Sequence, residues 1–376
     1  MRIGFDAKRL FHNFTGLGNY SRTLVHNLAT LFPDESLHLF TPSISDNPRI
    51  NPFLDHSPFH IHLPAKGRFL WRSWRINEDI QKNHIDVYHG LSHEIPFGLK
   101  SSSGLKTIVT IHDLIFKVYP NQYRLPDRII YDTKFSYSCR NADHIIAIST
   151  QTKEDIIRYY GIAEEKISVI YQACDSQFYL QADSSQREAI RQKYQLPSEY
   201  ILYVGSVTER KNLLSLVKAI HLMNDSQRIP LVVVGDGSSY KRMVLQYIAA
   251  NNLEKWVIFV NNLSYPDLPA IYQAAVVFVY PSLYEGFGIP VIEALISQTP
   301  VITSDISSLP EASGPHSICT DPLNTELLKL HIQKVAEDQN LGNQMREKGV
   351  LYAERFHFSS VTRQVMQLYR QIAGMD

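Results

Sequence analysis

Two glutamates in one glycine-containing segment are the residues of this sequence best suited to bind a polar ligand. Glu285 and Glu293 lie in residues 280–293, which follow an apolar run that predicts a buried strand. Between them stand residues whose backbone could approach a ligand closely, Gly286, Phe287 and Gly288. Pro290 suits a first helical turn, which places Glu285 in the loop and Glu293 in the helix. We expect both carboxylates to face one pocket, with favourable interaction with the helix dipole as the purely structural alternative for Glu293.

A pair of adjacent cations follows the first strand predicted in the second half of the chain. Gly205 comes at the end of that strand, and Arg210 and Lys211 precede an apolar-periodic helix over 213–220. In a strand-to-helix loop, an arginine fork and a lysine ammonium can both meet phosphate oxygens. A solvated surface pair is the alternative. Because the glutamate segment is expected opposite the cations, we favour phosphate binding.

A second glycine loop lies between the first strand and the first helix. Gly16 and Gly18 leave backbone N–H groups that could face an anion. The loop departs from the dinucleotide fingerprint, because Ser21 stands at the third glycine position and Thr41 replaces the acid after the second strand. These departures disfavour a nicotinamide cofactor.

Histidines are concentrated in the first half of the chain, without the spacing of metal ligands. His112 and Asp113 close a predicted strand, so they belong at a carboxyl edge, where α/β proteins bind ligands. A structural role is the equal alternative for such a histidine. The sequence contains neither an H-E-x-x-H nor an Asp-x-Asp motif. We therefore expect no metal site and disfavour a transferase that binds its diphosphate through a metal held by Asp-x-Asp.

Alternating strands and helices must position these residues. The predicted strands are 2–5, 37–40, 107–111, 144–148 and 167–170 in the first half, and 200–204, 231–234, 256–260, 275–280 and 300–303 in the second. This α/β pattern predicts two Rossmann-like, doubly wound domains, residues 1–175 and 176–356, that face each other across a cleft. The polar stretch 177–197 begins the second domain, and a final amphipathic helix over 359–372 could pack on either one.

Composition excludes several classes of function. The 376 residues include 37 basic and 37 acidic side chains, so there is no overall field to hold a nucleic acid. Three widely spaced cysteines indicate neither a disulfide framework nor a zinc knuckle. No apolar run reaches the roughly 18 residues of a membrane span. We therefore expect a cytoplasmic protein.

One stretch could still bind a membrane surface. Residues 66–76 combine cations and aromatic residues without an acid, namely Lys66, Arg68, Phe69, Trp71, Arg72, Trp74 and Arg75. As a helix, the stretch would place its arginines on one face, which suits the inner face of an anionic membrane. Buried tryptophans beside solvated arginines are the alternative.

Together these motifs resemble those of the retaining GT-B glycosyltransferases of family 4. In chain order, the resemblance rests on the loop with Gly16 and Gly18, the pair Arg210 and Lys211 after Gly205, and the segment from Glu285 to Glu293. It covers nearly the whole chain. It implies a GT-B fold, a nucleotide sugar as substrate, and no metal or other cofactor. The final helix, 357–376, would cross back onto the first, acceptor-binding domain.

The resemblance also implies roles for individual residues. Glu285 would bind hydroxyls of the donor sugar, Glu293 would bind the ribose, and the backbone of 286–288 would meet sugar and phosphate. Arg210 and Lys211 would neutralise the leaving diphosphate in place of a metal. In the first domain, His112 would lie near the reacting sugar and the acceptor.

The branch that these motifs most resemble comprises mannosyltransferase-like enzymes of bacterial surface polysaccharide and lipopolysaccharide assembly. The implied reaction transfers mannose from GDP-mannose to a glycan or lipid-linked oligosaccharide with retention of configuration. Asp113 could act as a covalent nucleophile, or the acceptor could attack from the front face. The chain departs from the family after the strand that enters the second domain, where the usual Asn-Gly pair is absent and the residues are Tyr171, Gln172, Ala173, Cys174 and Asp175. The hinge or a donor contact is therefore expected to differ there.

Three other readings stay open from the sequence. A nucleotide-sugar epimerase would convert its donor without an acceptor. A phosphorylase would need inorganic phosphate or a covalent pyridoxal lysine. An inactive sugar-binding module would have no reason to keep both glutamates and both cations.

Overall fold

The computed structural model describes residues 1–54, 58–65, 67, 70–99 and 104–375. The chain divides into two compact units. The first comprises Met1–Asp175 and Phe356–Asp376, and the second comprises Ser176–Arg355. Each unit is built on one parallel sheet with helices in the connections, as the alternation of strands and helices in the sequence predicts.

The sheet of the first unit contains seven parallel strands among the described residues. They are β1 (Arg2–Asp6), β2 (Ser36–Phe40), β3 (Phe59–His62), β4 (Val87–Gly90), β5 (Lys106–Ile111), β6 (His144–Ala147) and β7 (Ile167–Val169). Their order across the sheet is β3-β2-β1-β4-β5-β6-β7. The central strands are buried on both faces, which accounts for their continuous apolar runs.

In the described part of Met1–Asp175, the first unit contains six α-helices. They are α1 (Lys8–His12), α2 (Gly16–Leu31), α3 (Ile76–Lys82), α4 (Ile115–Val118), α5 (Leu125–Asn141) and α6 (Thr150–Tyr160). The apolar residues of α2 and α6 have helical spacing, and α2 turns its buried face to the sheet core.

The second unit repeats the architecture. Its strands are β8 (Ile201–Val204), β9 (Leu231–Val234), β10 (Val257–Val260), β11 (Val277–Tyr280), β12 (Val301–Ser304) and β13 (Ile318–Thr320). Its helices are α7 (Ser184–Lys193), α8 (Leu213–His221), α9 (Ser239–Ala250), α10 (Leu268–Ala274), α11 (Ile289–Ile296), α12 (Leu309–Ser313), α13 (Thr325–Glu337) and α14 (Gln339–Ala353). The parallel strands lie in the order β10-β9-β8-β11-β12-β13.

The last helix, α15 (Phe358–Ala373), belongs to the first unit and packs against α2. Its apolar residues Val361, Val365 and Met366 join the core that contains Leu24 and Leu28. This face is the one that the spacing of its apolar residues predicts. The C-terminus of the chain therefore completes the core of the unit that the N-terminus begins.

Strand order sets where loops can form a site. In each sheet the strands are added first toward one edge and then toward the other. The order reverses between β1 and β4 in the first sheet and between β8 and β11 in the second. Loops at the carboxyl ends of two such strands leave in opposite directions and open a crevice between them. The loops after β8 and β11 are those that carry the predicted cations and the first predicted glutamate.

Three strands have no counterpart among the predicted ones. The central strand β4 was missed because His89 and Gly90 end its apolar run after two residues. The other two are β3, which alternates histidines with apolar residues and is only partly buried, and β13, which has three residues. Both are short and lie at an edge of their sheet, where one side of the strand has no partner to enforce continuous apolarity.

The expectation of a basic helix over 66–76 is wrong for the described part of that stretch. Lys66, Arg68 and Phe69 lie outside the described residues. Trp71–Ser73 form a single 3-10 turn, and α3 begins only at Ile76. Trp71 is buried and its indole N–H donates to Asp79 Oδ2 at 2.7 Å.

Arg72 is not available to a membrane. Its guanidinium forms ion pairs with Asp6, and with Glu94 at 2.8 Å. The Lys134 ammonium lies 2.9 Å from the same Glu94 oxygen. An arginine cannot hold a buried carboxylate and remain solvated, so the pairing with β1 overrides the pattern in the sequence. No helix in the described part of the chain is both long and apolar enough to cross a bilayer.

Candidate active site

The loop after β8 carries both predicted cations in a short 3-10 turn, Glu209–Lys211. Gly205 opens the loop with φ near 150°, and a Cβ there would lie 3.4 Å from Lys211 Cδ. The glycine therefore accepts a backbone shape that other residues avoid and lets the lysine pass close by. Asn212 closes the turn, and its Nδ2 donates to the carbonyl of Pro281 at 3.1 Å, which joins this loop to the one after β11.

The carboxylate of Glu285, in the loop after β11, forms the centre of the site. Its Oε1 lies 2.9 Å from Arg210 Nη1 and 3.2 Å from Lys211 Nζ. The hydroxyls of Tyr280 and Ser282 each donate to the same oxygen at 2.9 Å. Lys211 also donates to the Tyr280 hydroxyl. We call these five residues the Glu285 cluster.

Electrostatics keep the carboxylate of this cluster ionised. Burial alone would raise the pKa of Glu285, but the charges of Lys211 and Arg210 and the two hydroxyl donors outweigh burial and lower the pKa to about 2. Burial lowers the pKa of Lys211, and the Glu285 carboxylate opposes that change. Two cations face one carboxylate, so the cluster has an excess of positive charge that an anion could neutralise.

The glycine segment leads from the cluster into α11. Gly286 and Gly288 are buried, and Gly288 precedes the first residue of the helix. The Ser308 hydroxyl donates to the carbonyls of Glu285 at 2.9 Å and Phe287 at 2.8 Å, which fixes the path of the loop. The Phe287 side chain is buried, so its backbone is the part that could meet a ligand.

Glu293 lies on α11, as its spacing from Pro290 predicts. It is buried, and its Oε2 accepts a hydrogen bond from the Tyr272 hydroxyl at 3.0 Å. Its charge also raises the pKa of Lys211, so both predicted carboxylates act on one cation. Tyr272 is fully buried on α10 and holds the glutamate within the unit.

The prediction that Gly16 and Gly18 lie in a loop before the first helix is wrong, because α1 comes first and both glycines stand in the first turn of α2. Their surroundings differ. A Cβ on Gly16 would meet no atom within 4 Å. A Cβ on Gly18 would lie 1.6 Å from the carbonyl oxygen of Asn13, so close packing alone requires this glycine. The Asn13 side chain also accepts from the Gly18 N–H at 3.1 Å. Gly16 is therefore the more accessible of the two to a ligand.

His112 follows β5 in the first unit and is almost completely buried. Its Nε2 lies 2.9 Å from the Leu91 carbonyl oxygen, and its Nδ1 lies 2.7 Å from Gln172 Nε2. Burial, followed by the neighbouring His93, lowers the pKa of His112 to about 3. The ring is therefore neutral at neutral pH and cannot transfer a proton while both hydrogen bonds persist. A contact near the sugar stays a prediction.

The structure brings four predicted residues together within the second unit: Gly205, Arg210, Lys211 and Glu285. It places His112, Gly16 and Gly18 in the first unit. The described residues contain no group of three His, Cys, Asp or Glu side chains that could hold a metal ion. Metal independence itself stays a prediction.

Sequence reasoning missed several residues that shape these sites. They are Tyr280, Ser282 and Ser308 around Glu285, Tyr272 beside Glu293, and Gln172 beside His112. Hydroxyl residues where a buried strand ends, as at Tyr280 and Ser282, are a signal that could have found two of them. The others come from elements distant in sequence.

Two family models match the chain. Residues 14–178 match the model described as Glycosyltransferase Family 4, and residues 186–351 match Glycosyl transferases group 1. A curated relative, O-antigen chain mannosyltransferase B of Escherichia coli, is 29% identical over 98% of this chain and 100% of its own length.

Solved structures share the fold along the whole chain. Sucrose-phosphate synthase from Thermosynechococcus elongatus has a TM-score of 0.80 at 22% identity and covers 100% of both chains. HepE from Anabaena, solved with UDP and glucose, has a TM-score of 0.77 at 17% identity over 99% of this chain and 100% of its own. The expected α/β class, with doubly wound units of GT-B type, is thus confirmed. With both of its halves matched by these models, the chain belongs to the family 4, group 1 glycosyltransferases and is an enzyme of that class.

Proposed function

We propose that this enzyme is a retaining, metal-independent mannosyltransferase that uses GDP-mannose and extends a glycan in O-antigen or lipopolysaccharide assembly. The observation that carries the proposal is the Glu285 cluster, in which two cations and a carboxylate meet at the switch point of the second sheet. The name of the 29% identical relative supports mannose as the sugar and an O-antigen chain as the product.

The donor would bind by displacing the internal partners of the cluster. The diphosphate would replace Glu285 as the ion-pair partner of Arg210 and Lys211. The two positive charges of these side chains exceed the single negative charge of the carboxylate. Glu285 would then accept hydrogen bonds from hydroxyls of the sugar, through the oxygens that the cations release. Glu293 would bind the ribose, and the backbone of 286–288 would meet sugar and phosphate.

The chemistry follows from where charge develops. The bond from C1 of the sugar to the diphosphate oxygen breaks, the acceptor oxygen bonds to C1, and the departing phosphate takes the acceptor proton. Arg210 and Lys211 stabilise the growing negative charge of the leaving group, and a preorganised, partly buried cation is effective in this role. Front-face attack needs no protein nucleophile, whereas a double displacement would use Asp113.

The acceptor side of the reaction is assigned to the first unit. A glycan or lipid-linked oligosaccharide would bind near His112, at the carboxyl edge of the first sheet. Peripheral contact with the inner face of a membrane is part of this proposal, but Arg72 cannot mediate it because it pairs with Asp6. Trp74, half exposed beside the exposed Arg75, is the described residue of 66–76 best placed to do so.

The donor experiment is calorimetric binding of GDP and of UDP with a chelator present. Micromolar binding of GDP alone is expected, because the cations themselves neutralise the diphosphate. Preference for UDP would overturn the GDP-mannose assignment but not the site, and binding of neither would refute the proposed transferase site. Flotation with anionic vesicles, comparing Trp74→Gln with the wild type, tests the membrane contact.

The transfer experiment measures acceptor-dependent GDP release from GDP-mannose and the anomeric configuration of the product by NMR. Lys211→Ala should lower kcat by about 100-fold or more, as loss of a buried oxyanion-stabilising group does. Lys329→Ala is the matched control, since Lys329 forms a surface pair with Glu326 at 2.6 Å. Unchanged turnover in Lys211→Ala would refute its role, and an inverted product would refute retention.

A further inference from the structure

The ring of His112 is enclosed on every side that the structure describes in detail. Tyr20, from the first turns of α2, packs edge-on with ring centroids 4.7 Å apart, and His93 packs edge-on at 5.1 Å. The main chain is held as well, because the Thr152 hydroxyl donates to the His112 carbonyl at 3.3 Å. The imidazole therefore has one orientation rather than a choice of rotamers.

The hydrogen bonds at the two ring nitrogens allow one tautomer. A backbone carbonyl can only accept, so Nε2, at 2.9 Å from the Leu91 oxygen, must carry the hydrogen. Nδ1 of the neutral ring then has only a lone pair, so the Gln172 amide must present its NH2 group across the 2.7 Å contact. A proton on Nδ1 would face another donor.

We propose that Gln172 is a positioning residue that holds His112 as the neutral Nε2–H tautomer during glycosyl transfer. This inference rests on the proposed function, because that function places His112 beside the reacting sugar. C1 of the sugar becomes positively charged as its bond to phosphate breaks. An imidazolium there would repel that charge, whereas a neutral ring would not.

Burial and neighbouring groups favour the neutral form of the His112 ring, as the Gln172 hydrogen bond does. The titratable and charged groups around the ring are His89, His93, Arg9, Asp113 and Tyr20. His93 and Arg9 disfavour the charged form, whereas Asp113 favours it. Burial of Tyr20 raises its pKa to about 12, so it stays uncharged.

The length of the Gln172 side chain matters for this contact. Gln172 is 8% exposed and its amide reaches across 60 residues of sequence to the ring, at 2.7 Å. An asparagine substituted at this position would be one methylene shorter. The glutamine thus couples the segment that ends the first unit to the strand end that carries His112.

The test combines a spectroscopic readout with kinetics in three variants. Gln172→Glu replaces the donor with an acceptor and should convert His112 to imidazolium, because a carboxylate can accept from Nδ1–H. Gln172→Met keeps the length and removes the hydrogen bond. Gln364→Glu makes the same charge change on the exposed surface of α15 and is the matched control. Thermal unfolding of each variant checks that it is folded.

Nitrogen-15 NMR reads the His112 tautomer, assigned by the signal lost in His112→Asn. The wild type should show Nε2–H alone, and Gln172→Glu should show both nitrogens protonated. We expect kcat of Gln172→Glu to fall about tenfold or more at pH 7 while the donor KM changes less than about threefold, with kcat recovering as pH rises. Gln172→Met should keep the Nε2–H tautomer, because the Leu91 carbonyl still accepts from it, and should lose less activity than Gln172→Glu.

Two results would overturn the proposal while the proposed function stands. One is an Nδ1–H tautomer or an imidazolium in the wild type. The other is a Gln172→Glu variant whose kcat equals that of an active wild type at every pH. A wild type that transfers no hexose would instead refute the proposed function, and the catalytic claim for Gln172 with it.

Discussion

At the scale of single residues, both cations of the candidate donor site are paired with one carboxylate of the same site. Glu285 holds Arg210 and Lys211 through a single carboxylate oxygen, and the hydroxyls of Tyr280 and Ser282 complete the set. A buried group of this kind is stable only while each charge has a partner. A diphosphate could replace the carboxylate as the partner of the cations without leaving either buried cation unpaired.

This exchange predicts that binding and turnover respond differently to Glu285→Gln. GDP affinity should stay within about tenfold of the wild type, or increase, because the cations lose a competing anion. Turnover should fall by about 100-fold, because the sugar loses a charged acceptor for its hydroxyls. Calorimetry with GDP and a steady-state transfer assay measure the two effects, with Glu326→Gln as the surface control. A large loss of GDP affinity would contradict the exchange.

Arg72 predicts a stability effect that surface arginines do not share. Arg72→Met leaves the buried Asp6 carboxylate without its partner, so the free energy of unfolding should fall by about 3 kcal/mol. Arg75→Met, three residues along and exposed, should change it by less than about 0.5 kcal/mol. Urea unfolding followed by circular dichroism at pH 7 compares the two. Equal stability of both variants would contradict the assigned ion pair.

At the scale of elements, Arg210, Lys211 and Glu285 of the candidate site lie in loops at the carboxyl ends of parallel strands. The loops after β8 and β11 are joined by Asn212, and the loop before α2 is joined to α1 by Asn13. Each loop is therefore held by side-chain hydrogen bonds to a neighbouring segment rather than by regular secondary structure. Such anchoring keeps backbone N–H groups in place for a ligand.

The first turn of α2 predicts opposite outcomes for its two glycines. Gly18→Ala should lower the free energy of unfolding by about 2 kcal/mol or more, because its Cβ would overlap the Asn13 carbonyl oxygen. Gly16→Ala has open space and should leave stability within about 0.5 kcal/mol of the wild type. If Gly16 contacts the donor, its alanine variant loses activity without losing stability. Thermal unfolding and transfer assays on both variants separate packing from binding.

At the scale of the whole molecule, the two units differ in how deeply their histidines are buried. Burial lowers the pKa of His89, His93 and His112 to about 3, all in the first unit. The second unit, Ser176–Arg355, lies wholly within the described residues and contains no buried histidine. The units should therefore respond differently to mild acid.

Linkage gives the direction and the pH window of that response. An unfolded histidine has a pKa near 6.5, so the unfolded first unit binds more protons than the folded one as pH falls from about 6.5 toward about 3. Each buried histidine removes up to about 1.4 kcal/mol of stability per pH unit in this window. The lowered pKa of Glu285 costs the second unit stability only below about 4.5.

Hydrogen exchange at pH 7 and pH 5 should therefore show protection lost first in the first unit. His89→Gln removes one of the three titrations and should reduce the pH dependence of stability in that unit. His316→Gln, at an exposed position of the second unit, is the matched control. Equal loss of protection in both units at pH 5 would contradict the assignment.

The sequence by itself determined the class of each element and the position of most site residues along it. Alternating apolar runs and helical spacings specify the strands and helices of both units, since burial on both faces of a parallel sheet requires them. Loops at strand ends then place Arg210, Lys211 and Glu285 where ligands bind. The strands β3, β4 and β13 were not predicted. The first and last lie at sheet edges, where a strand with one free side needs little apolarity, and in β4 the residues His89 and Gly90 cut the apolar run short.

Only the tertiary structure decided which side chains meet. Arg72 pairs with Asp6 instead of lying on a surface helix, Glu285 pairs with Arg210 and Lys211, and Gln172 reaches His112. These partners come from separate strands and loops. Local spacing constrains the direction of a side chain within its own element, but strand order and packing determine what lies opposite. The identity of each hydrogen-bond and ion-pair partner is therefore a property of the folded chain.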